Sequence, residues 1–158
     1  MSTARRIALI LAAYALSSLV TGYVVWASLF AGEVSDVGFR APGFGLFITL
    51  LVAWFAAAPA SATVLLAEAK GWRMPWYYAI AGALIGLALG GLFKTTWFFP
   101  WLGLGFGPVS SAIYWAIAGR RAGSEDPKER RATLIAMAII LLAATAITVP
   151  QFWSLRFF

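Results

Sequence analysis

Six carboxylates, Glu33, Asp36, Glu68, Glu125, Asp126 and Glu129, are the only acids in this 158-residue chain, and it has neither histidine nor cysteine to work beside them. An imidazole base, a thiolate nucleophile, a haem-ligating imidazole and an iron–sulfur ligand therefore fall away together. A zinc centre would have to be built from carboxylates alone, and all six lie outside the middles of the apolar runs. Glu33 and Asp36 would face the same way on one helical turn, but two ligands among flexible glycines, with Arg40 close by, describe a solvated loop better than a cation site. Ser17, Ser18, Ser110 and Ser111 have no base within reach, so they read as interhelical hydrogen-bonding groups together with Thr21, Thr145 and Thr148. The sequence predicts no catalytic residue, no metal and no cofactor, and hence no enzyme.

Composition supplies the frame that must position whatever remains. The chain is 62% hydrophobic and 11% charged, far below the roughly 25% charged residues of a soluble domain. Five apolar stretches, at about 7–30, 44–67, 76–93, 102–118 and 132–149, each approach the roughly 20 residues that cross a bilayer. In lipid the backbone must satisfy its own hydrogen bonds, so such runs are read as helices. The predicted fold is all-α: an integral membrane bundle of five transmembrane helices forming a single domain over residues 1–158. The third and fourth segments are short, and the fourth opens with Gly103, Gly105, Gly107 and Pro108, so this pair is expected to be either two full spans or a partly unwound, re-entrant hairpin. Arg5 and Arg6 precede an Ala13-Tyr14-Ala15 pattern that resembles a signal-peptidase site, but the apolar run continues through Leu29, which makes the first segment an uncleaved anchor.

Lysine and arginine orient the bundle. With one crossing per span, nine of the twelve basic residues fall on the side of Arg5 and Arg6, against Arg40, Lys94 and Arg156 on the other. That asymmetry places the N-terminus inside and the C-terminus outside. Trp72, Trp76 and Trp115 then fall near the inner face, and Trp26, Trp97, Trp101 and Trp153 near the outer one, as expected of an aromatic belt. The stretch Arg120 to Arg131 is interrupted by three acids, so it reads as a solvated loop and not as a nucleic-acid patch. No ionisable residue lies at mid-membrane. Glu68 and Lys94, at the ends of the second and third spans, are expected to snorkel to water. The compact, Ala-rich chain with nine Arg to three Lys reads as a multi-pass protein of the bacterial inner membrane.

Two local patterns stand out. Gly82, Gly86 and Gly90 recur every fourth residue on one face of the third span, a glycine zipper that permits close backbone approach. In the second span Trp54 is followed by Pro59, Ser61 and Thr63, a mid-depth aromatic beside a helix breaker and two hydroxyls. Such a kink frees a backbone carbonyl and forms a candidate ligand site. The missing chemistry favours a non-catalytic subunit or accessory factor acting through helix packing, with the lipid bilayer, a membrane-protein partner or a second copy as its contacts. The alternative is a binder or facilitator of a hydrophobic small molecule or lipid at Trp54, Pro59, Ser61 and Thr63.

Overall fold

The computed structural model describes residues 2–30, 41–92, 98–123 and 126–154. Among these the regular structure is helical throughout, with no strand: α1 (Thr3–Phe30), α2 (Ala41–Lys70), α3 (Pro75–Leu92), α4 (Phe98–Ile117), a 3₁₀ turn (Gly119–Arg121) and α5 (Pro127–Ser154). The helix starts follow from local chemistry. The Ser2 hydroxyl accepts from Arg5 N–H, and the Asp126 carboxylate accepts from Lys128 N–H just before a proline at the first helical position. Both are N-terminal capping arrangements. At the other end of α2, Gly71 takes φ +68° and Trp72 N–H reaches back to the Ala67 carbonyl at 2.9 Å, a glycine-terminated C-cap of the Schellman kind.

Three segments are long and apolar enough to cross a membrane, Thr3–Ser28, Gly45–Lys70 and Pro127–Ile147, and Pro75–Gly91 is a shorter apolar helix. Their exteriors match that reading. Leu50 on α2 and Ile135, Ile139 and Leu142 on α5 are all more than 60% exposed, and the three on α5 recur at helical spacing along one face. A face of this kind suits a hydrocarbon environment.

Several boundaries differ from the sequence expectation. α1 starts at Thr3, so Arg5 and Arg6 lie inside the helix and not ahead of it. α5 starts at Pro127 and takes Arg130 and Arg131 with it, so the segment expected to be a solvated loop is instead a 3₁₀ turn, a short connection and a helical first turn. α4 begins at Phe98 and runs through Gly103, Gly105, Gly107 and Pro108 without a break. The helix stays wound there while Gly103 and Gly107 pack against the backbone of the neighbouring helix. Glu33, Asp36, Arg40, Lys94, Trp97 and Arg156 lie outside the described residues.

Successive helices alternate in direction, which gathers the starts of α1, α3 and α5 with the ends of α2 and α4 at one pole, here termed the basic end. α3 and α4 form the tightest pair, α1 packs on both α2 and α4, and α5 lies against α2. α2 and α3 touch only sparingly. The buried apolar core is Ile10, Ala13, Val64, Ala67, Tyr78, Tyr114, Ala118, Ala122 and Met137, nearly all within about ten residues of the basic end. The far half of the bundle has no comparable core among the described residues.

Candidate functional site

Two linked features occupy the interior: a charged seal at the basic end and a groove that runs away from it. The seal begins with Arg6 and Glu68, 0% and 2% exposed, joined as an ion pair across α1 and α2. Arg6 Nε donates to Glu68 Oε1 at 3.1 Å and its Nη1 to the Ala118 carbonyl at 3.0 Å, while Glu68 Oε2 accepts from Gly123 N–H at 2.8 Å. Arg130 of α5 donates from Nε to the Glu68 carbonyl at 3.1 Å and also to the Ala69 carbonyl, satisfying acceptors that a helix end leaves open. Arg73 Nε reaches the Ala122 carbonyl at 2.9 Å, and the Trp115 indole N–H donates to the Arg73 carbonyl at 2.7 Å. One cluster thus ties α1, α2, α4, α5 and the α2–α3 connection together. Neither Glu68 nor Arg6 snorkels. Two opposite charges that share a pocket and have backbone partners for their remaining atoms can stay buried, whereas a lone charge would have to reach water. Gly123, at φ +62°, closes the turn where an added Cβ would lie 2.8 Å from Gly71 Cα.

The helix pair α3–α4 forms one wall of the groove, and here the glycines have a definite position. A Cβ on Gly86 would fall 2.0 Å from the Gly103 carbonyl oxygen, and one on Gly82 would fall 2.3 Å from that of Gly107. The reciprocal clashes at Gly103 and Gly107 are as severe. Gly82 and Gly86 therefore meet glycines of the next helix in the same chain, at backbone contact, while Gly90 lines the groove. The 82/86 and 103/107 spacings are both four, and in an antiparallel pair that match is the sequence signal that the two sets would meet.

Between this hairpin and the α1–α2 pair lies a cavity of about 200 Å³. Its wall changes character along its length. Near the basic end and through the middle it carries hydroxyls: Tyr78 and Tyr114 at the floor, then Thr63, Tyr14, Ser17, Ser110 and Thr21. Toward the far end it is Val25, Val52, Leu89, Leu102 and Phe106. Tyr78 and Tyr114 lie ring to ring at 5.8 Å and separate the groove from the Arg6–Glu68 pair. Most of the hydroxyl protons are already committed. Ser17 donates to the Tyr14 carbonyl at 3.0 Å, Thr21 to that of Ser17 at 2.8 Å, Thr63 to that of Ala60 at 2.8 Å and Tyr78 to that of Trp72 at 3.2 Å. Tyr14 donates across the helix interface to the Ala53 carbonyl.

Of the predicted ligand residues, only Thr63 lines this groove. Trp54 is 42% exposed on the outside of α2, and Pro59 and Ser61 are half-buried within that helix and off the groove wall. α2 is continuous across Pro59, so no unwound segment forms there. The groove takes a different face of α2, with Val52, Ala56 and Ala60, together with α1 and the α3–α4 hairpin, and the readable signal was the polar stripe Ser17, Ser18 and Thr21. Among the described residues no cluster of three potential metal ligands exists. No protein-family model matches the chain, and no curated protein or solved structure matches it.

Proposed function

We propose that this chain is a non-catalytic binder, carrier or facilitator of a hydrophobic small molecule, working as a five-span protein of the bacterial inner membrane with its N-terminus inside. The observation that carries the reading is the groove of about 200 Å³ between the two helix pairs, which exceeds a 150 Å³ engineered cavity that takes up benzene. Clefts between bundle helices are common ligand sites. The sparse contact between α2 and α3 gives a lateral path from the acyl region into the groove. Helices α3 and α4, of 18 and 20 residues, reach about 27 to 30 Å at 1.5 Å per residue, enough for two further crossings. A second reading, a non-catalytic subunit or accessory factor acting through helix packing, keeps the missing catalytic chemistry as its support, while Gly82 and Gly86 pack against Gly107 and Gly103 of the same chain.

The test is ligand-dependent stability. A molecule that binds the folded state at 100 times its Kd adds about 2.7 kcal/mol, so a panel of apolar and amphiphilic small molecules should contain members that raise the thermal midpoint saturably in lipid nanodiscs. Ala56→Leu, which fills the wall from α2, should abolish that rise while leaving the ligand-free midpoint unchanged. A flat response across the panel would leave the groove a packing feature only.

A further inference from the structure

Resting on that reading, we infer that the groove takes a neutral single-chain amphiphile with a hydroxyl or carbonyl head, inserted head first so that the head meets the Tyr114 hydroxyl at the floor and the tail runs toward Leu102. Tyr114 is 7% exposed and lines the groove, yet its hydroxyl has no hydrogen-bond partner among the described residues. A buried hydroxyl left unpaired is costly, and one that faces a cavity is a donor waiting for an acceptor. Tyr78 beside it turns its hydroxyl the other way, to the Trp72 carbonyl at 3.2 Å and alongside Gly119 at the basic end, so the uncommitted phenol proton at the floor is that of Tyr114. An alcohol or carbonyl head satisfies Tyr114 by accepting its proton.

The same geometry excludes a charged head. Arg6 is the nearest cation, but its guanidinium already serves Glu68 and the Ala118 carbonyl, and the Tyr78–Tyr114 pair stands between it and the groove. A carboxylate at the floor would be desolvated without a counter-charge, and an ammonium would face Glu68 only across that same pair. Length and width point to one chain. From Tyr114 to Gly103 the wall spans eleven residues, roughly 16 Å of helix, and its far half is lined by Val25, Leu89 and Phe106.

The experiment is equilibrium binding of radiolabelled dodecanol to the protein in saturated phosphatidylcholine nanodiscs, with empty discs correcting for partition. Unlabelled octanol, decanol, dodecane, laurate and dodecylamine are the competitors. Saturable dodecanol binding above that of the empty discs is expected, with unlabelled decanol competing for the same sites. Dodecane, laurate and dodecylamine should each compete at least fivefold more weakly. Tyr114→Phe keeps the ring and its contact with Tyr78, and should weaken dodecanol about 5- to 10-fold while leaving dodecane unchanged. If dodecanol binds but dodecane or laurate competes equally, the head-first assignment fails while the groove remains a ligand site. Unchanged dodecanol affinity in Tyr114→Phe overturns the assignment in the same way. If no probe binds saturably, the ligand-binding reading itself fails. The competitor series on the unsubstituted chain decides the head-group chemistry even if Tyr114→Phe folds poorly.

Discussion

Replacing Glu68 with alanine should be among the most damaging single substitutions in this chain, and the reason can be worked through atom by atom. Arg6 is fully buried and directs Nε and Nη2 to Glu68, so the substitution leaves a guanidinium with one protein partner, the Ala118 carbonyl, and no counter-charge. Breaking one side of a buried ion pair costs about 3–5 kcal/mol. Gly123 N–H also loses its acceptor, a further penalty of about 1–3 kcal/mol unless water enters. Glu68→Gln separates charge from shape. It keeps an acceptor for Gly123 but not the charge, and should cost about 1.5–3 kcal/mol, the range of hydrogen bonds to charged groups. The paired replacement Arg6→Met with Glu68→Met removes both charges at similar volume and should recover most of the loss, because buried pairs gain little over apolar packing once desolvation is counted. The assay is equilibrium unfolding in mixed micelles against a rising fraction of denaturing detergent, followed by circular dichroism, for the four proteins. Losses below about 1 kcal/mol in every variant would place the pair in the solvated class and refute the seal. Equal losses in Glu68→Ala and in the double methionine variant would refute the electrostatic account while sparing the packing.

Two further outcomes are expected. Gly86→Ala places a Cβ 2.0 Å from a backbone oxygen that cannot swing aside, and should destabilise by about 1–3 kcal/mol or more through forced separation of α3 and α4; Gly105→Ala, with nothing within 4 Å, should be neutral or stabilise by up to about 1 kcal/mol, and equal effects in the same unfolding assay would contradict the pairing of the hairpin. Because the chain has no cysteine, single cysteines at Arg121 and Lys128, both exposed at the basic end, should react with an impermeant maleimide only after the inner face is opened, and a cysteine at Lys94 should react in intact cells; labelling of Arg121→Cys from outside would reverse the proposed orientation.

The helices were legible because backbone satisfaction in lipid admits little else for long apolar runs, and all five segments appear within a few residues of the positions expected from hydropathy. What could not be read were relations between distant residues. Arg6 and Glu68 stand 62 residues apart, and each alone looks like an ordinary charge at a membrane boundary. Only their burial together, on a first helix that begins four residues earlier than its apolar run, turns two anchors into a pair. Trp54 misled for the opposite reason. A mid-depth tryptophan beside a proline is unusual locally, but its direction depends on which side of α2 its neighbours occupy, and that side faces outward. The hydroxyls of α1 were visible as a stripe, yet their role depended on α4 bringing Ser110 within 3.5 Å of the Ser17 carbonyl.

Seal and groove also depend on each other physically. The basic end concentrates the buried core, the ion pair and the hydrogen bonds between helices, so it should be the last part of the bundle to open. The far half has glycine contacts and a cavity, with few directional bonds between α2 and α3 to hold them apart or together. On the proposed reading, an arrangement rigid at one pole and loose at the other would let a tail enter sideways without disturbing the floor proposed to meet the head group. Tyr78 joins the two regions, since its ring is part of the buried core, its hydroxyl is tied to the Trp72 carbonyl and its face meets Tyr114. Damage to the ion pair should therefore reach the groove through the tyrosines. A Glu68→Gln protein that stays folded should bind a neutral amphiphile less tightly than the unsubstituted chain, although Glu68 does not line the groove.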